Sequence, residues 1–237
     1  MPKFFVFSDI HSFYQPFMEA LAAAGYDREN PDHVLIGCGD YFDRGPSAEA
    51  VLNFLLEAPR CILVKGNHED LLEAAAARGY FEYHDISNGT VDTVRQLNPT
   101  NDPDVEFALP FVMNKLQPLL DQMVNYFETK NYVFVHGWIP NREDWRWSRA
   151  SEWRNARWVN GMDAVDDIKA EDKTVVCGHW HCSYGHAKAK GLPRWETEFG
   201  YSADFTPCYG DGIIAIDACT AHTDMVNVIV LEDDYLS

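Results

Sequence analysis

Three features of the sequence predict an α/β fold. Five short apolar runs, at residues 4–7, 34–38, 61–64, 132–135 and 174–177, read as buried strands. Each ends abruptly in a polar loop that carries Asp, Asn or His. Helical stretches follow several of these loops, and a strand that ends in a polar loop before a helix is where α/β sheets place their sites. The chain has 237 residues, enough for one large domain with a substantial core, here taken as 1–237.

The first strand, 4–7, leads into Asp9 and His11, which project to the same side if the chain stays extended. A helix over 17–24 follows, stopped by Gly25. After the second strand, Gly37 and Gly39 allow a tight turn from which Asp40, Asp43 and Arg44 emerge together. Gly45 and Pro46 close that loop, and Ser47 is placed to cap a helix through 51–56. The third strand delivers Asn67, His68 and Glu69, then a helix over 69–78 with Gly79 as its stop.

Residues 80–131 read as an inserted helical cap, with helices over 91–97 and 112–127 between polar turns at 87–90 and 98–103. Asn88, Gly89 and Thr90 are candidates to touch a substrate from that cap. The fourth strand delivers His136 and Gly137. Beyond it, residues 141–158 hold five arginines and four tryptophans within a very acidic protein. The fifth strand delivers His179 and His181. A Gly/Tyr-rich loop over 183–211 is expected next, and strands at 213–216 and 225–231 close the sheet.

The net charge is −18, from 37 acidic and 19 basic residues. Such a chain repels nucleic-acid backbones and anionic membranes at long range and attracts divalent cations, so neither nucleic acid nor membrane is expected as a partner. The six cysteines form no Cys-x-x-Cys pair, which argues against a zinc ribbon. No signal-peptide pattern opens the chain and no apolar run approaches membrane-spanning length. Cytoplasmic localisation is the expectation.

The series Asp9-x-His11, Gly39-Asp40-x-x-Asp43-Arg44-Gly45, Gly66-Asn67-His68-Glu69, His136-Gly137 and Gly178-His179-x-His181 resembles the calcineurin-like metallophosphoesterase superfamily, in its bacterial phosphoprotein-phosphatase (serine/threonine phosphatase) group. The resemblance runs in the family's order from residue 9 to 181 and implies a four-layer αββα sandwich with mixed sheets. It also implies two divalent metal ions sharing Asp40. One would take Asp9, His11, Asp40 and His181, the other Asp40, Asn67, His136 and His179. Such a donor set suits manganese, iron or zinc better than calcium; manganese is the expected ion, with iron, zinc or magnesium as alternatives.

A water bridging two dications loses its proton readily, so hydroxide attack on phosphorus is the expected chemistry. Arg44 would grip phosphate oxygens with its fork. His68, next to Asn67, would act as general acid, oriented by Asp43. The family also implies an arginine from the Trp/Arg-rich segment that reaches the phosphate; Arg157 is the first candidate, with Arg154 and Arg149 as rivals.

The sequence departs from the group's pattern at Ser8 and Ser12, where glycines are usual, and at Trp138, which replaces the second glycine of His-Gly-Gly. These departures weigh against protein-phosphatase specificity. The expected function is hydrolysis of a phosphomonoester, with serine or threonine phosphate among the candidates. The alternative is a nucleotide hydrolase acting on a dinucleoside tetraphosphate or similar anhydride, and a non-catalytic metal-binding scaffold is a third reading.

Overall fold

The protein is described here by a computed structural model. The described residues are 1–100, 102–192, 199–200 and 202–236. Asn101 of the expected 98–103 turn, and residues 193–198 and 201 of the expected 183–211 loop, lie outside them.

Two mixed sheets lie face to face. In the first, β1 (Lys3–Phe7), β2 (His33–Gly37) and β3 (Cys61–Leu63) run parallel in the order β3-β2-β1. The late strand at Val228–Glu232 adds antiparallel to β1. In the second, β5 (Tyr132–Phe134) and β6 (Thr174–Cys177) run parallel to a strand at Ile213–Ala215. Antiparallel edges close it on both sides, β4 (Phe127–Glu128) next to β5 and a strand at Cys208–Gly210.

The pleat sorts the apolar runs into three cores. Phe4 and Val6 of β1 face inward with Val34, Ile36, Phe134, Val176 and Ile214, filling the space between the sheets. Their neighbours Phe5 and Phe7 face outward, onto α1 (Tyr14–Ala24), α2 (Ala48–Glu57) and α6 (Val105–Leu120). Val133, Val175, Cys177 and Ala215 face the opposite exterior, under Trp138, Trp145, Trp153 and Met162. The result is the expected sequence of layers, helix, sheet, sheet, helix. Both faces of the central strands are covered, which is why they read as unbroken apolar runs.

Several expectations are corrected. Asp9 (φ 51°) and His11 (φ 44°) are not extended, so alternation does not place them; a left-handed turn does. Ser47 occupies the N-cap position of α2 without a side-chain cap bond. Gln96 takes over that role, its Oε1 accepting from Ala48 N at 2.8 Å. α3 (Asn67–Arg78) starts two residues earlier than expected, and Gly79 (φ +77°) closes it.

The long helix of the 80–131 segment is α6, Val105–Leu120, not 112–127. Asp104 caps its start by accepting from the amides of Glu106 and Phe107, and it carries Pro110 and Pro118 within its length. Phe127 is instead in β4, so the end of this segment belongs to the second sheet. The 183–211 stretch is not all loop. It begins as a helix, Cys182–Ala189, and regains strand structure at Cys208–Gly210.

Candidate metal centre

The C-terminal loops of β1, β2, β3, β5 and β6 converge on one edge of the sandwich, tied by hydrogen bonds between loops. Asp9 N donates to Gly39 O (3.0 Å), His11 N to Asp40 O (3.1 Å) and Gly178 N to His136 O (2.8 Å). His68 N donates to Asp40 Oδ1 (3.0 Å) and His179 N to Asp9 Oδ2 (2.9 Å). Ten non-glycine residues have positive φ among the described residues, and seven sit here: Asp9, His11, Ser12, Asp40, Asp43, Arg44 and His179. Such conformations cost free energy and cluster where function demands a particular side-chain placement. Gly178 shows the crowding: a Cβ there would overlap the Ser8 hydroxyl and the Asp9 carboxylate.

Glu69 braces the centre. Its carboxylate accepts from the amides of Asp40 (3.0 Å), Tyr41 (2.9 Å) and Gly66 (2.9 Å), fixing the Asp40 loop to the start of α3. Burial, reinforced by the neighbouring Asp40 charge, pushes its pKa up to about 7. Ser8, one of the departures from the glycine pattern, donates to Asp9 Oδ2 and to Cys38 O. Trp138, another departure, is a core residue whose Nε1 donates to Ile168 O (3.0 Å).

Asp40 is central. Its Oδ2 lies 3.3 Å from His136 Nε2, 3.8 Å from His68 Nε2 and 3.9 Å from His11 Nε2. Two groups bring their ligand atoms within 4.8 Å of one another and share Asp40: His11, Asp40 and His68, and Asp40, His136 and His179. Asn67 joins the second through Oδ1, 2.7 Å from His136 Nε2. Asp9 adjoins through the His179 amide. His181 belongs to neither group; its Nδ1 is 2.7 Å from Ser183 Oγ and its ring packs on Phe199, with centroids 4.6 Å apart.

The tautomers fit a metal. His11 Nδ1 donates to Phe42 O (2.9 Å) and His136 Nδ1 to Cys38 O (2.7 Å), which turns each Nε2 toward Asp40, where a cation that displaced its proton would find a lone pair. A second ring N–H tied to a backbone carbonyl is the usual support of a metal-binding histidine. The charges fit as well. Burial would raise the Asp40 pKa, but His136, His68 and His11 hold it well below the carboxylate range. Burial would lower His136, yet Asp40, assisted by Asp9, lifts it to about 10. Burial lifts Asp9 to about 6, with Asp40 adding to the rise. Burial and the His136 charge push His179 down to about 3. Acidic and imidazole groups that set one another's protonation at van der Waals range are the donor set that divalent cations take.

Beside the shared carboxylate, Asp43 Oδ2 accepts from His68 Nδ1 at 2.8 Å. Burial works against the charged imidazole, but Asp40 and the Asp43 bond outweigh it and raise the His68 pKa. Arg44, exposed at the mouth, donates to His11 Nε2 (2.9 Å) and His68 Nε2 (3.1 Å).

The remaining substrate candidates have partners of their own. Asn88 Nδ2 donates to His84 O within its own helix, α4 (Tyr83–Asn88). Arg157 is buried, with Nη1 2.7 Å from Asp70 Oδ2 and Nη2 2.6 Å from Asn125 Oδ1. Arg154 is exposed, 3.9 Å from Asp70. Sequence reasoning missed Thr93, whose hydroxyl meets Asp43 across 50 residues, and Asp217, a buried carboxylate that burial and the Asp9 charge hold well above the usual range. No local signal marks Thr93, whereas Asp217 ends the apolar run 213–216 just as Asp9 follows 4–7, a signal that could have found it.

Residues 2–183 match the family model of the calcineurin-like phosphoesterases. No curated protein matches the sequence. Among solved structures, the chain is similar to a candidate diadenosine tetraphosphatase at TM-score 0.52 and 16% identity, covering 100% of this chain and 97% of the other. It is similar to a protein serine/threonine phosphatase from Saccharomyces cerevisiae with similarity to human phosphatase PP5 (TM-score 0.54, 12% identity, 100% and 81% covered). It is also similar to the cold-active protein-tyrosine phosphatase of the psychrophile Shewanella sp. (TM-score 0.59, 15% identity, 98% and 76% covered). At these identities the likeness is one of fold. Among the described residues no helix is long and apolar enough to cross a membrane. The family match over most of the chain, set on this fold and this cluster of Asp and His, makes the protein a member of the calcineurin-like phosphoesterases, metal-using hydrolases of phosphoesters.

Proposed function

We propose that the protein hydrolyses phosphomonoesters with two divalent cations, manganese first among them, and with His68 as general acid. The observation that carries this is the chain Asp43–His68–Arg44 set against the shared carboxylate Asp40. Asp9, His11, Asp40 and His181 would hold one cation, and Asp40, Asn67, His136 and His179 the other. When bound, the cations supply charge that activates a water and draws electron density from the phosphoryl group.

The protein's own groups do the rest. Asp43 accepts the hydrogen bond of His68 Nδ1–H and, with Asp40, favours the protonated ring, so that Nε2–H is the group that delivers a proton to the departing oxygen. Arg44 binds two phosphoryl oxygens through its fork and offsets the charge that builds there. Its present partners are the Nε2 lone pairs of His11 and His68. With His11 Nε2 engaged as a metal ligand, Arg44 would turn its guanidinium to phosphate, leaving His68 Nε2 free to carry the proton it delivers.

His68 also fits the first metal group by distance, so its role has to be tested. His68→Asn is expected to cut turnover by roughly 10²–10⁴-fold on poor leaving groups. Metal content should stay at two per chain. Loss of one metal would make His68 a ligand and remove the general-acid assignment.

One feature favours a second reading, a nucleotide or dinucleoside tetraphosphate hydrolase. Trp158 is 50% exposed beside His179, ring centroids 5.8 Å apart, and Phe199 is 54% exposed on His181. Exposed rings at the rim suit a planar leaving group by stacking. Phosphopeptides, small phosphomonoesters and dinucleoside polyphosphates should be compared on metal-stripped protein reloaded with Mn, Mg, Zn or Fe. Fastest turnover of monoesters supports the first reading and preference for dinucleoside tetraphosphates the second. No hydrolysis with any metal rejects both.

A further inference from the structure

One face of α5 (Thr90–Leu97) grips the loop that carries Asp43 and Arg44. Thr90, Thr93 and Gln96 lie at three-residue steps and therefore share a side of the helix. Thr90 Oγ1 donates to Asp43 Oδ2 (2.8 Å). Thr93 Oγ1 donates to Asp43 Oδ1 (2.8 Å) and accepts from Asp43 N (2.9 Å). Gln96 Nε2 donates to Gly45 O (2.9 Å), while its Oε1 takes the Ala48 amide. Before the helix, Gly89 (φ +88°) packs so close that a Cβ would lie 2.5 Å from Arg44 N. Both threonines are 0% exposed and Asp43 is 1% exposed.

The bonds to Asp43 do more than dock a helix. A carboxylate rotates about its last side-chain bond with little preference, so its orientation is set by its partners. Here Oδ1 is held by Thr93, and Oδ2 by Thr90 and His68 Nδ1. Rotating the carboxylate breaks all three bonds together.

We propose that Thr90 and Thr93 are positioning residues for leaving-group protonation: by pinning both Asp43 oxygens they hold the His68 ring with Nε2 toward the departing oxygen. The inference rests on the reading of His68 as general acid. It assigns the cap helix a part in the chemistry although neither threonine touches substrate.

The test is leaving-group dependence. Thr90→Val and Thr93→Val keep the shape and remove the hydroxyls. They are compared singly and together with His68→Asn and wild type, as manganese-loaded protein, on an alkyl phosphate, phenyl phosphate and 4-nitrophenyl phosphate. Loss of a held proton donor matters most where the leaving oxygen is most basic. The double variant is therefore expected to lose about 10–100-fold in kcat on the alkyl phosphate and under about threefold on 4-nitrophenyl phosphate. Thr93→Ser, which keeps a hydroxyl, should restore the wild-type ratio.

Equal losses on all substrates, or none, overturn the inference. If His68→Asn shows the leaving-group pattern and the threonine variants do not, the inference alone fails. If His68→Asn lacks it, the general-acid reading fails first. Should the double variant not fold, Thr90→Val alone carries the comparison, since Thr93 keeps both of its bonds to Asp43. A readout independent of turnover is the His68 Nδ1 proton in the NMR spectrum. It should be downfield and slow to exchange in wild type and Thr93→Ser, and lost to exchange in Thr93→Val; its persistence there counts against the proposal.

Discussion

Arg44 and the Trp/Arg segment at 141–158 make an instructive pair. Both read as phosphate-gripping regions, yet their arginines are held differently. Arg44 stands at the mouth with no carboxylate ion pair among the described residues, its N–H groups on two imidazoles. In the segment, Arg157 is sealed against Asp70 and Asn125, and Arg146 is spread over Glu128 and Glu171. Arg142 lies near Asp144 and Glu152. Trp145 and Trp153 sit in the core against Tyr126, which stacks on Trp153 at 5.1 Å. An arginine already satisfied by a buried carboxylate has little to offer a phosphate, since moving it strands the carboxylate. A count of arginines therefore says less than the backbone that presents them.

The sharpest way to break this contrast is Arg157→Met. Among the described residues it leaves buried Asp70 the longer ion-pair contacts to Lys65 (3.7 Å) and Arg154 (3.9 Å). Stability should fall by about 3–5 kcal/mol, the usual result of removing one partner of a buried pair. Denaturant unfolding reads that loss. Activity per folded molecule should change far less, and a collapse of kcat/KM in protein of unaltered stability would return Arg157 to the substrate. Arg44→Ala should do the opposite. Loss of one preorganised donor to a charged transition state costs roughly 10²–10³-fold in kcat. Stability should move within about 0.5 kcal/mol, as expected for an exposed side chain. Arg44→Lys should recover only part of the activity, because an ammonium cannot bind two oxygens in parallel.

The contrast also explains what could be read from sequence. Strands covered on both faces announce themselves as apolar runs, and loops such as Gly39–Gly45 carry their chemistry in adjacent residues. The helix at Cys182–Ala189 has no such signature. Its buried positions are Cys182, Ser183, Gly185 and Ala187, small residues that fit against Met162 and Cys208. The expected helix over 112–127 begins beyond Pro110, yet packing on the first sheet's outer core carries α6 across that proline. Thr93 and Gln96 were invisible because their partners, Asp43 and Ala48, lie 50 and 48 residues away. The Arg157–Asp70 pair is hidden for the same reason, its members lying 87 residues apart.

Proton linkage separates the two regions further. The candidate metal centre holds charge against its preference. Asp9 at about 6 and Glu69 at about 7 are carboxylates raised chiefly by burial, so the folded state keeps protons there that the unfolded state has shed. His136 at about 10 favours the fold while charged, an advantage complete below about 6.5 and lost as pH rises toward 10. As pH rises from 6.5 to 8.5 the metal-free protein therefore loses stability, chiefly through His136 and Glu69, while Asp9 has largely completed its change. His179, lowered to about 3, is neutral in both states over that window and adds nothing. Cations that take the place of those protons gain affinity as pH rises. The rise in Tm on manganese loading should therefore be larger at pH 8.5 than at 6.5, by calorimetry. An equal rise at both would show that these groups do not face the cation.

The smallest effect should come from Arg146. It makes two hydrogen bonds to Glu128, at 2.9 and 2.6 Å, and lies over the Trp145 ring at 4.3 Å, which looks substantial. Yet Glu128 keeps Lys173 at 2.7 Å when Arg146 is removed, and Glu171 on the other side is exposed. No carboxylate is stranded, so Arg146→Met should cost only about 1 kcal/mol or less, in the range of partly exposed pairs, and weaken further in high salt. kcat/KM should stay within about twofold of wild type, as for a surface change remote from the chemistry. A fall comparable to that of Arg44→Ala would mean that this segment swings onto the substrate, and that ion pairs inside it are a resting arrangement which binding breaks.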